Sequence, residues 1–109
     1  MKRHGQVIGL KPEHLEEYVK AHAAVWPGVL ARISQCNIRN YSIFHRGGQL
    51  FAYFEYLGPE EEFGARIREL ALAPRMREWW DIMEPMQVPV DGRRPDEWWA
   101  GMEEFFHAD

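Results

Sequence analysis

Seven prolines cut these 109 residues into short segments, and their positions constrain the fold more than any other feature. A proline fixes φ, lacks an N–H and disfavours helix at the residue before it, so it marks where helices start and strands stop. Gln6-Val7-Ile8-Gly9-Leu10 is a short apolar run that ends at Lys11-Pro12 and reads as a strand. After Pro12, the residues Leu15, Tyr18, Val19 and His22 recur at helical spacing, with Glu16, Glu17 and Lys20 on the other side. Pro27 interrupts this pattern and Val29, Leu30 and Ile33 resume it, which predicts a broken helix over about 12–35. Residues 40–57 read as a hairpin: Tyr41, Ile43 and Phe44, then the turn Arg46-Gly47-Gly48-Gln49, then Leu50 to Tyr56. Past Gly58-Pro59, the positions Phe63, Ile67, Leu70 and Ala71 share one helical face. Pro74 opens a further helix carrying Met76, Trp79, Trp80 and Met83, and Pro85 and Pro89 end it. Residues 85–97 read as an extended loop, and the aromatic tail from Trp98 to His107 as a source of one last strand.

The order is strand, helix, strand, strand, helix, strand. It predicts an α+β fold, a ferredoxin-like sandwich with helices on one face of an antiparallel sheet. One domain over residues 1–109 is the expected size for such a unit. The other sheet face would be bare in a monomer, which predicts a homodimer. Thirteen Lys and Arg against 17 Asp and Glu give a net charge of −4, and no basic block stands out. Nucleic acid is therefore not an expected partner. Cys36 is the single cysteine, which excludes an intrachain disulfide and a Cys-rich zinc site and fits a reducing compartment. No long apolar run follows Met1, so neither a signal peptide nor a membrane span is expected, and the reading is a cytoplasmic protein.

The five histidines form no HExxH pattern, and His14 and His22 are too far apart to be ligands one turn apart on a helix. No metal site and no cofactor is expected. Gly47-Gly48 belongs to a turn, and no phosphate loop or nucleophile elbow occurs. Two features remain. His22 follows Tyr18 by four residues, so the pair projects from one helix face. A histidine among apolar residues is more often a packed residue than a catalyst. Paired with a tyrosine hydroxyl, however, it is suited to moving protons on a sugar or carbonyl near neutral pH. Trp79 and Trp80 diverge by about 100° on a helix, so one can pack inward while the other borders a pocket. Indole faces suit the C–H faces of sugar rings; filling a core or a dimer seam accounts for them equally well. Trp98-Trp99 reads as interface packing, and Tyr41 alone signals little.

Taken together, Glu17-Tyr18 with His22, Val25-Trp26-Pro27, Asn40-Tyr41-Ser42-Ile43, and Glu78-Trp79-Trp80 with Met83 and Pro85 resemble the L-rhamnose mutarotase family. The resemblance spans residues 6 to 86. It implies a small dimeric ferredoxin-like protein that interconverts the α and β anomers of a 6-deoxy-hexose pyranose, such as L-rhamnose, without cofactor or metal. It implies His22 as the proton donor, with Tyr18, Tyr41, Trp79 and Trp80 against the monosaccharide. Family members commonly carry an acidic residue after the Trp-Pro and often Asn after the His; here Gly28 and Ala23 stand there. Two other classes fit the residues: a cofactor-free ferredoxin-like enzyme acting on an aromatic substrate, and a non-catalytic sugar-binding module.

Overall fold

The computed structural model describes residues 1–109. Along the chain come β1 (Lys2–Leu10), α1 (Leu15–Ala23), α2 (Pro27–Gln35), β2 (Ile38–Arg46) and β3 (Gln49–Tyr56). They are followed by α3 (Phe63–Leu72), α4 (Pro74–Met83), β4 (Gln87–Val88) and β5 (Ala100–Met102). The sheet is antiparallel in the order β2-β3-β1-β4, and β5 joins the same edge of β1 as β4. The four helices lie on one side of it, which is the ferredoxin-like arrangement. No helix is long and apolar enough to cross a membrane.

Proline chemistry shapes the helical layer. Trp26 and Ala73 precede prolines and adopt extended backbone, at φ −58°, ψ 134° and φ −65°, ψ 123°. Pro27 and Pro74 then occupy the first helical turn, where no N–H is needed. Each helical arm is thereby split in two, and each half tilts its own apolar stripe onto the sheet. Val29, Leu70, Met76 and Met83 are buried there against Ile8, Leu50, Phe54 and Tyr56. Truncating a buried side chain such as Met76 to Ala would cost about 2–5 kcal/mol.

Strand β3 follows the period-two rule, burying Leu50, Ala52, Phe54 and Tyr56 in alternation. Strand β2 breaks it. Between the pairs Arg39↔Glu55 and Ser42↔Tyr53 the register shifts, so Asn40 and Tyr41 together stand opposite Phe54. Asn40 takes φ +53°, a left-handed conformation that Asn tolerates better than most residues. The bulge reverses the parity of the strand: Ile38 and Ile43, five apart, both face the helices. Tyr41 is turned to that side as well and stacks on Phe54 at 5.3 Å.

The sequence reading is corrected at three places. Strand β1 begins at Lys2, not Gln6, because β3 pairs with it along its whole length; the polar start hid this. The supposed loop over 85–97 contains strand β4, where Leu10 pairs with Gln87 and Gly9 with Val88. The tail contributes only residues 100–102, and the fourth strand is thus split in two by an excursion over residues 89–99.

Candidate active site

A cavity of about 350 Å³ opens between the helices and the sheet. Tyr18, His22, Tyr41, Trp79 and Trp80, the five residues singled out above, all line it. They come from α1, β2 and α4, so only the tertiary fold brings them together.

His22 is held by its own helix. Its Nδ1 lies 2.9 Å from the carbonyl oxygen of Tyr18, one turn earlier. A carbonyl only accepts, so Nδ1 carries the hydrogen of this bond, which assigns the tautomer. Nε2 makes no hydrogen bond within the protein. The imidazole stacks on the Tyr18 ring at 4.4 Å and meets Trp79 edge-on at 5.4 Å. Its plane is therefore set from two sides.

Tyr18 is buried, and its hydroxyl accepts a 3.0 Å hydrogen bond from Gln87 Nε2. Burial raises its pKa, and the Gln87 bond offsets part of that rise. Tyr41 has 40% of its surface exposed, as befits an edge strand, yet its phenol oxygen is desolvated on the cavity side. That desolvation, with a smaller effect from Tyr18, pushes its pKa up to about 12. At neutral pH both phenols keep their protons and so can donate a hydrogen bond.

The two tryptophans divide their work as adjacent helical positions must. Trp79 is buried and meets Trp26 edge-on at 5.2 Å, while Trp80 is half-buried with the Arg77 guanidinium 5.5 Å above its ring. Arg75 lies 4.0 Å over Trp26, and its stem passes over Gly28, where a Cβ would come within 3.0 Å of Arg75 Cγ. A side chain at position 28 would require Arg75 to move.

Two wall residues escaped the sequence reading. Gln87 is the one buried polar residue of the chain, and it follows Met86 with no pattern to mark it. Trp99, read above as interface packing, instead forms part of the cavity wall and packs against the core. Its neighbour Trp98 donates its indole N–H to Gln87 Oε1 at 2.8 Å. The excursion over residues 89–99 carries both back to the site, which the loop's polar Asp91-Gly92-Arg93-Arg94 gave no reason to expect. No cluster of three or more His, Cys, Asp or Glu side chains is placed to hold a metal ion.

Fold and cavity together define a class: a small ferredoxin-like α+β protein with an aromatic pocket on the helical side of its sheet. Solved structures with this fold include an L-rhamnose mutarotase from Formosa agariphila (TM-score 0.77, 21% identity, all of both chains covered). Another is the tetracenomycin F2 cyclase of Streptomyces glaucescens (TM-score 0.73, 15% identity, covering all of this chain and 98% of that one). Identities this low speak for the fold alone. Sequence goes further. The family model for L-rhamnose mutarotase matches residues 3–108. The L-rhamnose mutarotases of Lactiplantibacillus plantarum and Oceanobacillus iheyensis are 36% and 31% identical to this chain over the full length of both partners. The chain belongs to the L-rhamnose mutarotase family, and it is an isomerase that interconverts anomers.

Proposed function

We propose that the protein interconverts the α and β pyranose anomers of L-rhamnose, with His22 as the general acid and base of ring opening. The observation that carries this reading is the 2.9 Å bond from His22 Nδ1 to the Tyr18 carbonyl oxygen, which leaves Nε2 as the reactive nitrogen of a ring bordering the cavity. Mutarotation needs a proton delivered to the ring oxygen and one removed from the anomeric hydroxyl. The C1–O5 bond then breaks to give the free aldehyde, C1 turns about the C1–C2 bond, and the ring closes on the other face. In the tautomer assigned above, His22 Nε2 would take the proton of the anomeric hydroxyl and hand a proton to O5 as the C1–O5 bond breaks; on closure it would take the O5 proton back and return one to the new anomeric oxygen. One positioned acid or base contributes about 10²–10⁴-fold, roughly 3–5 kcal/mol of barrier.

The remaining wall would bind and orient. Tyr18 and Tyr41 would donate hydrogen bonds to sugar oxygens, since both stay protonated at neutral pH. Trp79 and Trp80 would lie against the apolar faces of the ring. Saturation-transfer NMR on L-rhamnose tests the reading: anomer exchange should run well above the buffer rate. If no 6-deoxy-hexose exchanges faster with protein present, the assignment fails.

A homodimer goes with this reading. The sheet face away from the helices carries Phe44, 63% exposed, beside the partly exposed Val7 and Phe51. Light scattering at micromolar concentration should give about twice 12.9 kDa, and a monomer mass would remove the proposal.

A further inference from the structure

The polarity of the Tyr18 hydroxyl can be derived from its neighbours. An indole N–H only donates, so the atom of Gln87 that faces Trp98 at 2.8 Å is the amide oxygen. The amide nitrogen therefore faces Tyr18 and donates to its hydroxyl oxygen at 3.0 Å. With that bond arriving from the wall, the hydrogen of the phenol is free to be donated on the cavity side. Gln87 is 7% exposed, so a turned amide would leave buried groups facing like partners. Trp98 itself is not part of the cavity wall, and it belongs to the excursion that splits the fourth strand.

We propose that Trp98 and Gln87 are positioning residues for the isomerase: together they lock the Tyr18 hydroxyl as a hydrogen-bond donor to the sugar. This rests on the reading of Tyr18 as a sugar contact. The excursion over residues 89–99 then has a task, because it returns the one indole N–H that fixes the amide. Without that N–H, Gln87 can turn its oxygen to Tyr18, and the phenol's hydrogen is held in the wall rather than offered to the substrate.

The test is a double-mutant cycle read by anomer-exchange NMR, with melting temperatures alongside. Trp98→Phe keeps an aromatic ring and removes the donor; it should lower the exchange rate roughly tenfold or less, the worth of one neutral hydrogen bond. In a Tyr18→Phe background the same change should cost nothing further. Gln87→Glu offers two acceptors and should show the same loss at neutral pH, with recovery as the carboxyl is protonated and regains a donor for Tyr18. Equal losses from Trp98→Phe in both backgrounds would mean that Trp98 only packs, and would overturn the proposal. A harmless Trp98→Phe beside a damaging Tyr18→Phe would overturn it too, while leaving the Tyr18 contact standing. A harmless Tyr18→Phe would remove that contact and the proposal with it.

Discussion

His22 and His4 are both packed against aromatic rings on the helical side of the sheet, but their ring nitrogens stand in different surroundings. His4 lies flat between Phe54 at 4.8 Å and Phe63 at 4.3 Å, tilted by only 10° and 16°. Its Nε2 is buried and has no hydrogen-bond partner. Burial, helped by the charge of Lys2 and opposed by Glu60, lowers its pKa, so the ring is held neutral. His22 has one aromatic face covered, one nitrogen bonded to a carbonyl oxygen and the other nitrogen free beside a cavity. Aromatic packing alone therefore says nothing about chemistry. The two rings differ in a partner that orients one nitrogen, which His22 has and His4 lacks, and in the cavity that borders His22. Phe54 links the two regions, stacking with His4 from β1 and with the cavity residue Tyr41 from β2.

The sharpest way to break this contrast is to delete each imidazole. His22→Ala should cost about 10²-fold or more in exchange rate while the protein still folds. His4→Ala should do the reverse: it should lower stability, on the order of 1–3 kcal/mol, and leave the rate per folded molecule intact. Melting curves paired with exchange rates decide it, and a loss of rate in both variants would end the distinction.

A smaller effect is expected on the edge strand β2. The bulge at Asn40 turns Tyr41 over Phe54, and it is held by bonds from Asn40 Nδ2 and Tyr53 Oη to the two oxygens of Glu55, at 2.8 and 2.7 Å. Asn40→Val places a β-branched residue at φ +53°, at a cost of about 1–3 kcal/mol, and should raise the KM for the sugar through a displaced Tyr41. Asn40→Gly accepts that φ and should keep KM near the wild-type value. If the two variants have the same KM, the bulge does not aim Tyr41.

The smallest effect is on pH dependence. Because the His4 pKa is lowered from 6.5, the unfolded chain binds the proton more readily than the folded one. The stabilising effect of a neutral His4 is complete above about 6.5 and is lost as pH falls from there toward the lowered folded value. Melting temperature should therefore drop below about pH 6.5, before the carboxylates of Glu55, Glu60 and Glu97, all lowered from 4.5, begin to contribute. His4→Phe fills the same slot without a titrating group and should flatten that first drop. An unchanged profile would show that His4 is not its source.

Much of this molecule was legible before any coordinates. Proline and glycine act through local sterics, so the helix breaks at Pro27 and Pro74 and the turn at Gly47-Gly48 follow from neighbouring residues alone. Tyr18 and His22 share a face because a helix repeats every 3.6 residues, and the structure puts both on the cavity. Where sequence reasoning missed, a partner distant in the chain decided the conformation. Lys2 to Gly5 are strand because β3 lies beside them, Gln87 because Leu10 does, and Trp99 lines the cavity because a strand split in two carries it there. Tyr41 looked uninformative because its direction depends on a bulge, and a one-residue shift in register sends every side chain beyond it to the opposite face. The sequence by itself determined the order of elements through α4, the broken helices and the shared face of Tyr18 and His22. The tertiary structure alone decided which of them meet, since strand pairing and cavity walls arise from contacts that no local pattern encodes.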